Sequence, residues 1–229
     1  PTIRLHGYSD NHIVFLYLVR MYRDEFNYNV LFPDLQYQGY SEGDAVQMGW
    51  HDRYDVEKWT EVAHEIFRDD FMVVHGVSMG GATVMTMRGD PPPYPPPQPY
   101  YVRAFIEDCG YSSVYDQFAH NLKQMFPLIP KGVLNSASLV CEKRYGWSFK
   151  EASSIRQVGL STLPMLFIHG DADDFVPFSD LQRNYDAKTL GYKEMWVAPG
   201  AVHANSYAKY PEEYTRRVRD FLAKVKQMY

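Results

Sequence analysis

Ser78 lies in the pentapeptide Gly76-Val77-Ser78-Met79-Gly80, directly after the apolar run Phe71-Met72-Val73-Val74-His75 and directly before Gly81-Ala82-Thr83-Val84-Met85. A strand that enters a serine and leaves as a helix of small residues makes a turn too tight for flanking side chains, and it presents the hydroxyl as a nucleophile. A serine hydroxyl is weak at neutral pH. It needs a base to take its proton, an acid to orient that base, and amide donors for the oxyanion that forms. Eight histidines compete for the first role, and Asp171, Asp173 and Asp174, just past the apolar run Met165-Leu166-Phe167-Ile168, compete for the second. A second Gly-x-Ser-x-Gly, Gly39-Tyr40-Ser41-Glu42-Gly43, is separated from Val30-Leu31-Phe32 by polar residues and leads into Asp44 and Gln47. With neither strand nor small-residue helix against it, Ser41 reads as a surface-loop residue.

The elements that must position these groups are legible as alternation. Short apolar runs at 3–6, 29–32, 71–77, 102–107, 165–169 and 193–197 recur with longer amphipathic segments between them, the pattern of parallel strands joined by crossover helices. Past Pro211, the residues Tyr214, Val218, Phe221, Leu222 and Val225 fall on one helical face, and Val56, Trp59, Ala63 and Ile66 do so earlier; both helices are expected to pack on the sheet. Two stretches break the alternation. The run Pro91-Pro92-Pro93-Tyr94-Pro95-Pro96-Pro97-Gln98-Pro99 can be neither helix nor central strand and reads as an extended connector. Residues 111–160 contain helical and aromatic content without a good central strand, and are expected to form a cap inserted between core segments 1–110 and 161–229.

Composition narrows the classes. A chain of 229 residues fits one large α/β domain. Net charge is −5 and no Lys/Arg cluster is long enough to track a phosphate backbone, which argues against nucleic acid. No apolar stretch approaches the roughly twenty residues of a membrane span, so the chain is expected to be soluble. It opens on Pro1 and enters a strand almost at once, from which we expect that an upstream segment is missing and that any signal or anchor lay there. Compartment and oligomeric state are not readable. Two cysteines, Cys109 and Cys141, are too few for a disulfide framework.

The segment His169-Gly170-Asp171-Ala172-Asp173-Asp174-Phe175-Val176-Pro177 resembles the His-Gly-x-x-Asp-x-x-Val-Pro motif of the α/β-hydrolase superfamily, and Leu5-His6-Gly7-Tyr8-Ser9-Asp10-Asn11 resembles its His-Gly oxyanion segment. Leu31-Phe32-Pro33-Asp34 with the loop at 39–43 resembles the loop after the next strand in many members, and Met48-Gly49-Trp50-His51-Asp52-Arg53 looks like the Gly-Trp-Asp/Glu-Arg segment of bacterial hydrolases described as peptidases, lipases or esterases. The resemblance runs from about Leu5 to Tyr229. It implies an α/β-hydrolase fold: a mostly parallel sheet flanked by helices, with a helical cap insertion and a shortened N-terminus, since many relatives carry two or more strands ahead of the oxyanion loop. The superfamily order of serine, acid, histidine selects His203, in the loop Pro199-Gly200-Ala201-Val202-His203-Ala204, as base, and the motif selects Asp173 as acid. Met79 and Tyr8 are then the main-chain oxyanion donors. His6, His75 and His169 are assigned structural roles.

What the resemblance implies chemically is a serine hydrolase that cleaves carboxylic esters through an acyl-enzyme on Ser78, with a small-molecule ester as partner. Tyr111, Tyr115, Phe118, Phe126, Trp147, Phe149, Phe175 and Phe178 are candidates to line a pocket for short, medium or aryl acyl groups, with plain packing of the cap as the alternative for each. No extended apolar lid helix stands out, which counts against a long-chain lipase. An acyltransferase or thioesterase and a serine peptidase would use the same triad, and a non-catalytic binding module shares the fold. No metal or cofactor is expected: the acids at 171, 173 and 174 lack calcium-loop spacing, and no zinc, phosphate-loop or dinucleotide motif is present.

Overall fold

Six strands form where the sequence reads as apolar runs: β1 (Thr2–Leu5), β2 (Val30–Leu31), β3 (Met72–Val77), β4 (Val102–Asp108), β5 (Met165–Gly170) and β6 (Lys193–Ala198). The computed structural model describes residues 1–87, 101–130 and 132–229, and the proline run at 91–99 lies outside them. Every pairing is parallel, in the order β2-β1-β3-β4-β5-β6. The chain steps outward from β1 to β2, then crosses back to place β3 on the other side of β1. That reversal leaves a crevice between the loops that follow β1 and β3, the usual place for a ligand in an open α/β sheet. β2 is a two-residue edge strand, too short to offer a long template for another strand.

Alternation along the strands sorts side chains to two faces. Ile3, Leu5, Met72, Val74, Phe105, Met165 and Phe167 point to one face, where they pack with α2 (Asp52–Phe67), α3 (Met79–Thr86) and α7 (Ser179–Ala187). Val73, Val77, Ala104, Ile106, Leu166 and Ile168 point to the other, against α1 (Leu16–Arg20), the π-helical turn Met21–Glu25 that continues it, and α9 (Pro211–Lys226). Pro211 opens α9 at a position whose N–H has no partner in any helix, with Glu212 and Glu213 in the first turn and Lys224 and Lys226 in the last, complementing the helix dipole. All five of its expected inward residues are buried; burying each contributes ~2 kcal/mol of transfer free energy.

α2 forms, but its inner face differs from the expected one. Trp59 and Ile66 are 37% and 61% exposed, while Val56, Thr60 and Ala63 are fully buried. The inward stripe follows the spacing 56, 60, 63, so Trp59 and Ile66 fall on its flank.

Residues between β4 and β5 form α4 (Val114–Met125), α5 (Gly132–Tyr145) and the short α6 (Ser154–Val158). An isolated antiparallel bridge between Ser113 and Ser153 closes the base of this insertion. Ser113 also caps α4, its hydroxyl accepting from the Asp116 amide at 3.1 Å.

Candidate active site

At the end of β3 the chain turns into α3 through Ser78, whose φ of 57° and ψ of −116° lie in a region costly for any residue with a Cβ. The turn closes because its neighbours are glycines: a Cβ at Gly76 would overlap the Gly80 carbonyl, and one at Gly80 would overlap that of Leu5. Strand, serine and helix are therefore in contact, as the pentapeptide predicts. Ser41 has no such setting; its hydroxyl donates to the Asp34 carbonyl at 2.7 Å within a loop.

Three chain-distant side chains converge on this turn. The Ser78 hydroxyl donates to His203 Nε2 at 2.8 Å, and His203 Nδ1 donates to Asp173 Oδ2 at 2.7 Å. Because both partners are fixed, the imidazole has one consistent tautomer, with the proton on Nδ1 and the lone pair on Nε2 facing the hydroxyl. Asp173 is held from its own loop: Oδ1 accepts from the amides of Phe175 at 3.0 Å and Val176 at 2.9 Å. Burial opposes its ionisation, but hydrogen bonds from His169 and His203 outweigh that and hold the carboxyl well below the usual carboxylate range. Asp171 instead accepts from the Gly200 amide, tying the acid loop to the loop that carries His203. Asp174 offers its carbonyl to the insertion, accepting from His120 at 2.8 Å and Gln124 at 2.9 Å.

The loop after β1 lies against the serine. A Cβ at Gly7 would sit 3.8 Å from Ser78 Oγ, and Tyr8 follows it directly, while Met79 opens α3, where the first amides of a helix point outward unpaired. His6 fixes this loop: fully buried, it donates from Nδ1 to the Gly7 carbonyl at 2.8 Å and accepts the Leu35 amide on Nε2 at 2.9 Å. Burial lowers its pKa despite these bonds and the nearby Asp34, so it serves as a neutral brace between the β1 and β2 loops.

Two features were not legible in the residues. His169, assigned only a structural place, reaches the acid: its Nε2 is 3.2 Å from Asp173 Oδ2. Its position four residues before Asp173 was the available signal. Beneath the site, on the α9 side, a buried chain of hydrogen bonds runs from the Tyr22 hydroxyl to His75 Nδ1 (2.8 Å), from His75 Nε2 to the Tyr214 hydroxyl (2.9 Å), and on to Asp108 Oδ2 (3.0 Å). Burial pushes the Asp108 carboxyl up to about 6. Asp108 Oδ1 also accepts from Ser206 at 3.4 Å, at the start of the short α8 (Ser206–Lys209) that follows His203. Cys109 Sγ lies within 4.8 Å of the ligand atoms of both Asp173 and His203; burial pushes its thiol up, and both cysteines are free.

The pocket candidates divide. Phe175 is partly exposed with its ring 4.8 Å from that of His203, and Phe178 packs edge-on against His169. Tyr111 and Trp147 are buried in the base of the insertion, donating to the Met48 carbonyl at 2.7 Å and the Gln47 side chain at 2.8 Å. Phe118 and Phe149 pack edge to face, and Tyr115 bonds Asn135 at 2.9 Å. Phe126 is exposed; packing describes Tyr111, Trp147, Phe118 and Phe149.

No family profile matches the chain. It is similar to the uncharacterized protein YqkD of Bacillus subtilis strain 168, with 27% identity over 222 residues that cover 95% of this chain and 69% of that one. Among solved structures it is similar to the Pyrococcus furiosus esterase Pf2001, with a TM-score of 0.75, 20% identity, and 97% and 82% of the two chains covered. It is also similar to a membrane phospholipase A described as a bacterial virulence factor, with a TM-score of 0.66, 16% identity, and 99% and 79% covered. The all-parallel sheet, its strand order and these likenesses establish that the chain has the α/β-hydrolase fold.

Proposed function

We propose that the protein is a serine hydrolase that cleaves carboxylic esters through an acyl-enzyme on Ser78. The observation that carries this is the unbroken hydrogen-bonded line from Ser78 Oγ through His203 to Asp173, at 2.8 and 2.7 Å. In this reading Ser78 Oγ attacks the acyl carbonyl as His203 Nε2 takes its proton, and Asp173 stabilises the imidazolium without taking that proton itself. The main-chain amides of Met79 and Tyr8 hold the oxyanion. His203 then returns the proton to the leaving alcohol, and water, activated by the same imidazole, releases the acid. Phe175, beside His203, supplies an apolar wall suited to short, medium or aryl acyl groups. An esterase and a phospholipase among the fold's relatives support ester chemistry. Residues 111–160 form a cap beside the reacting atoms, supported by the bonds that tie α4 to the carbonyls of Asp174 and Phe175.

The test is turnover of a p-nitrophenyl ester series from acetyl to decanoyl and benzoyl, with the matching anilides, by the wild type and Ser78→Ala. The reading predicts ester turnover that Ser78→Ala loses by at least ~10³-fold. Wild-type turnover retained by Ser78→Ala would overturn it.

A further inference from the structure

The insertion carries an apolar surface that no described residue covers. At the end of α4 Met125 is exposed, and between α4 and α5 so are Phe126, Leu128 and Ile129, Leu128 at 95%. The apolar surface continues onto α5. Leu134, Ser138 and Cys141 are its buried stripe, yet Val133, Ala137 and Val140, spaced three and four residues apart on another face, are exposed too. A helix apolar on both sides has a partner on only one of them, and an apolar patch of this kind marks an interaction site.

Charge says what kind. From 117 to 141 the sequence contains Lys123, Lys131 and His120 and not a single carboxylate, in a chain of net charge −5. An apolar stretch of sequence whose charged residues are lysines without acids matches an anionic lipid surface, where apolar side chains enter the acyl boundary and basic ones meet the head groups. A second copy fits poorly, because a two-fold contact would set the same stretch, basic and without a carboxylate of its own, against itself. Placement agrees. α4 is bonded to the carbonyls of Asp174 and Phe175, and the exposed ring of Phe175 lies 4.8 Å from that of His203.

We propose that the tip of the insertion, from Met125 through the outer face of α5, docks the protein on anionic lipid surfaces, so that acyl esters held there are the substrates of Ser78. The substrate half rests on the ester-hydrolase reading above; the docking half does not. The test is sedimentation of the full chain, as Ser78→Ala so that the lipid stays intact, with vesicles of phosphatidylcholine and phosphatidylglycerol mixed, and of phosphatidylcholine alone. Binding is expected to the mixed vesicles and to weaken with salt. Adding Leu128→Asp with Val133→Asp is expected to lower the partition on the order of tenfold. Both positions are exposed and Val133 is in the first turn of α5, where aspartate suits the helix dipole. The same pair on the active-serine chain is expected to keep wild-type turnover of a water-soluble p-nitrophenyl ester. No binding to the mixed vesicles, or equal binding by the substituted chain, would overturn the proposal. So would a dimer, measured by light scattering, that the pair of substitutions dissolves. Vesicle binding without any soluble-ester turnover would instead overturn the ester reading and leave docking supported.

Discussion

Gly170 ends β5, pairs with Ala198 of β6, and faces the turn that leads to His203. A Cβ added there would lie 2.6 Å from the Ala201 carbonyl carbon and 2.9 Å from the Ala201 Cβ, and would overlap the Ala201 oxygen. Carbon atoms settle near 3.5–4.0 Å, so Gly170→Ala must push Ala201 and the acid loop apart by about 1 Å. The two ends being separated carry the site: Asp173 is three residues beyond Gly170 and His203 two beyond Ala201. Hydrogen bonds of 2.7 and 2.8 Å stretched by that amount leave bonding range. A misplacement of this size costs ~10²-fold in rate, and overpacking costs ~1–3 kcal/mol of stability. The assay is kcat/KM on p-nitrophenyl butyrate at a temperature where far-UV circular dichroism shows the substituted chain folded. Gly132→Ala is the control, since its Cβ would meet nothing within 4 Å. If Gly170→Ala stayed within about threefold of the wild type, the close packing of the acid and base loops would not be what aligns the triad.

Ser78→Gly is expected to abolish ester turnover while raising stability by ~1 kcal/mol, because glycine relieves the backbone strain at φ 57°; urea unfolding checks it. Burial pushes the Glu107 carboxyl up to about 8 from 4.5. Between those values the folded chain keeps a proton that the unfolded chain has released, so stability falls as pH rises, by ~1.4 kcal/mol per pH unit. Glu107→Gln, which keeps an acceptor for the Gly110 amide, is expected to flatten that slope in urea titrations run across the window. His6→Leu strands the buried Leu35 amide and is expected to cost ~1–3 kcal/mol, read as a lower Tm together with reduced kcat/KM.

β3 and β5 were legible because strands buried on both faces read as near-continuous apolar runs, and a run such as 165–169 has little else it can be; β1, β4 and β6 contain Arg4, Arg103 and the pair Lys193-Glu194 and were legible from their alternation with amphipathic segments. Of the line from Ser78 to Asp173, the residues alone pointed to Ser78 and left Asp171, Asp173 and Asp174 in competition; Asp173 and His203 were legible only through the motif and chain order of the superfamily that the sequence resembles. The inner face of α2 was not, since Trp59 and Thr60 are adjacent in sequence and only the sheet's position decides which turns inward. The Tyr22–His75–Tyr214–Asp108 line was hidden for the same reason: its members come from a helical turn, two strands and α9, and no spacing links them. The contact of His169 with Asp173 was not legible, because a strand-end histidine shows no partner until the loop folding back onto it is known. Tyr111 and Trp147 show the converse: aromatic residues in an insertion look like pocket lining, yet both are buried with their polar atoms bonded at its base.

The most direct test of the account is the intact mass of the protein after exposure to a fluorophosphonate, for the wild type and for Ser78→Ala. On the proposed reading the Ser78 hydroxyl, held 2.8 Å from the His203 imidazole, is an activated nucleophile, and the account predicts one adduct on the wild type and none on Ser78→Ala. An adduct that persists on Ser78→Ala, or none on folded wild type, would contradict it.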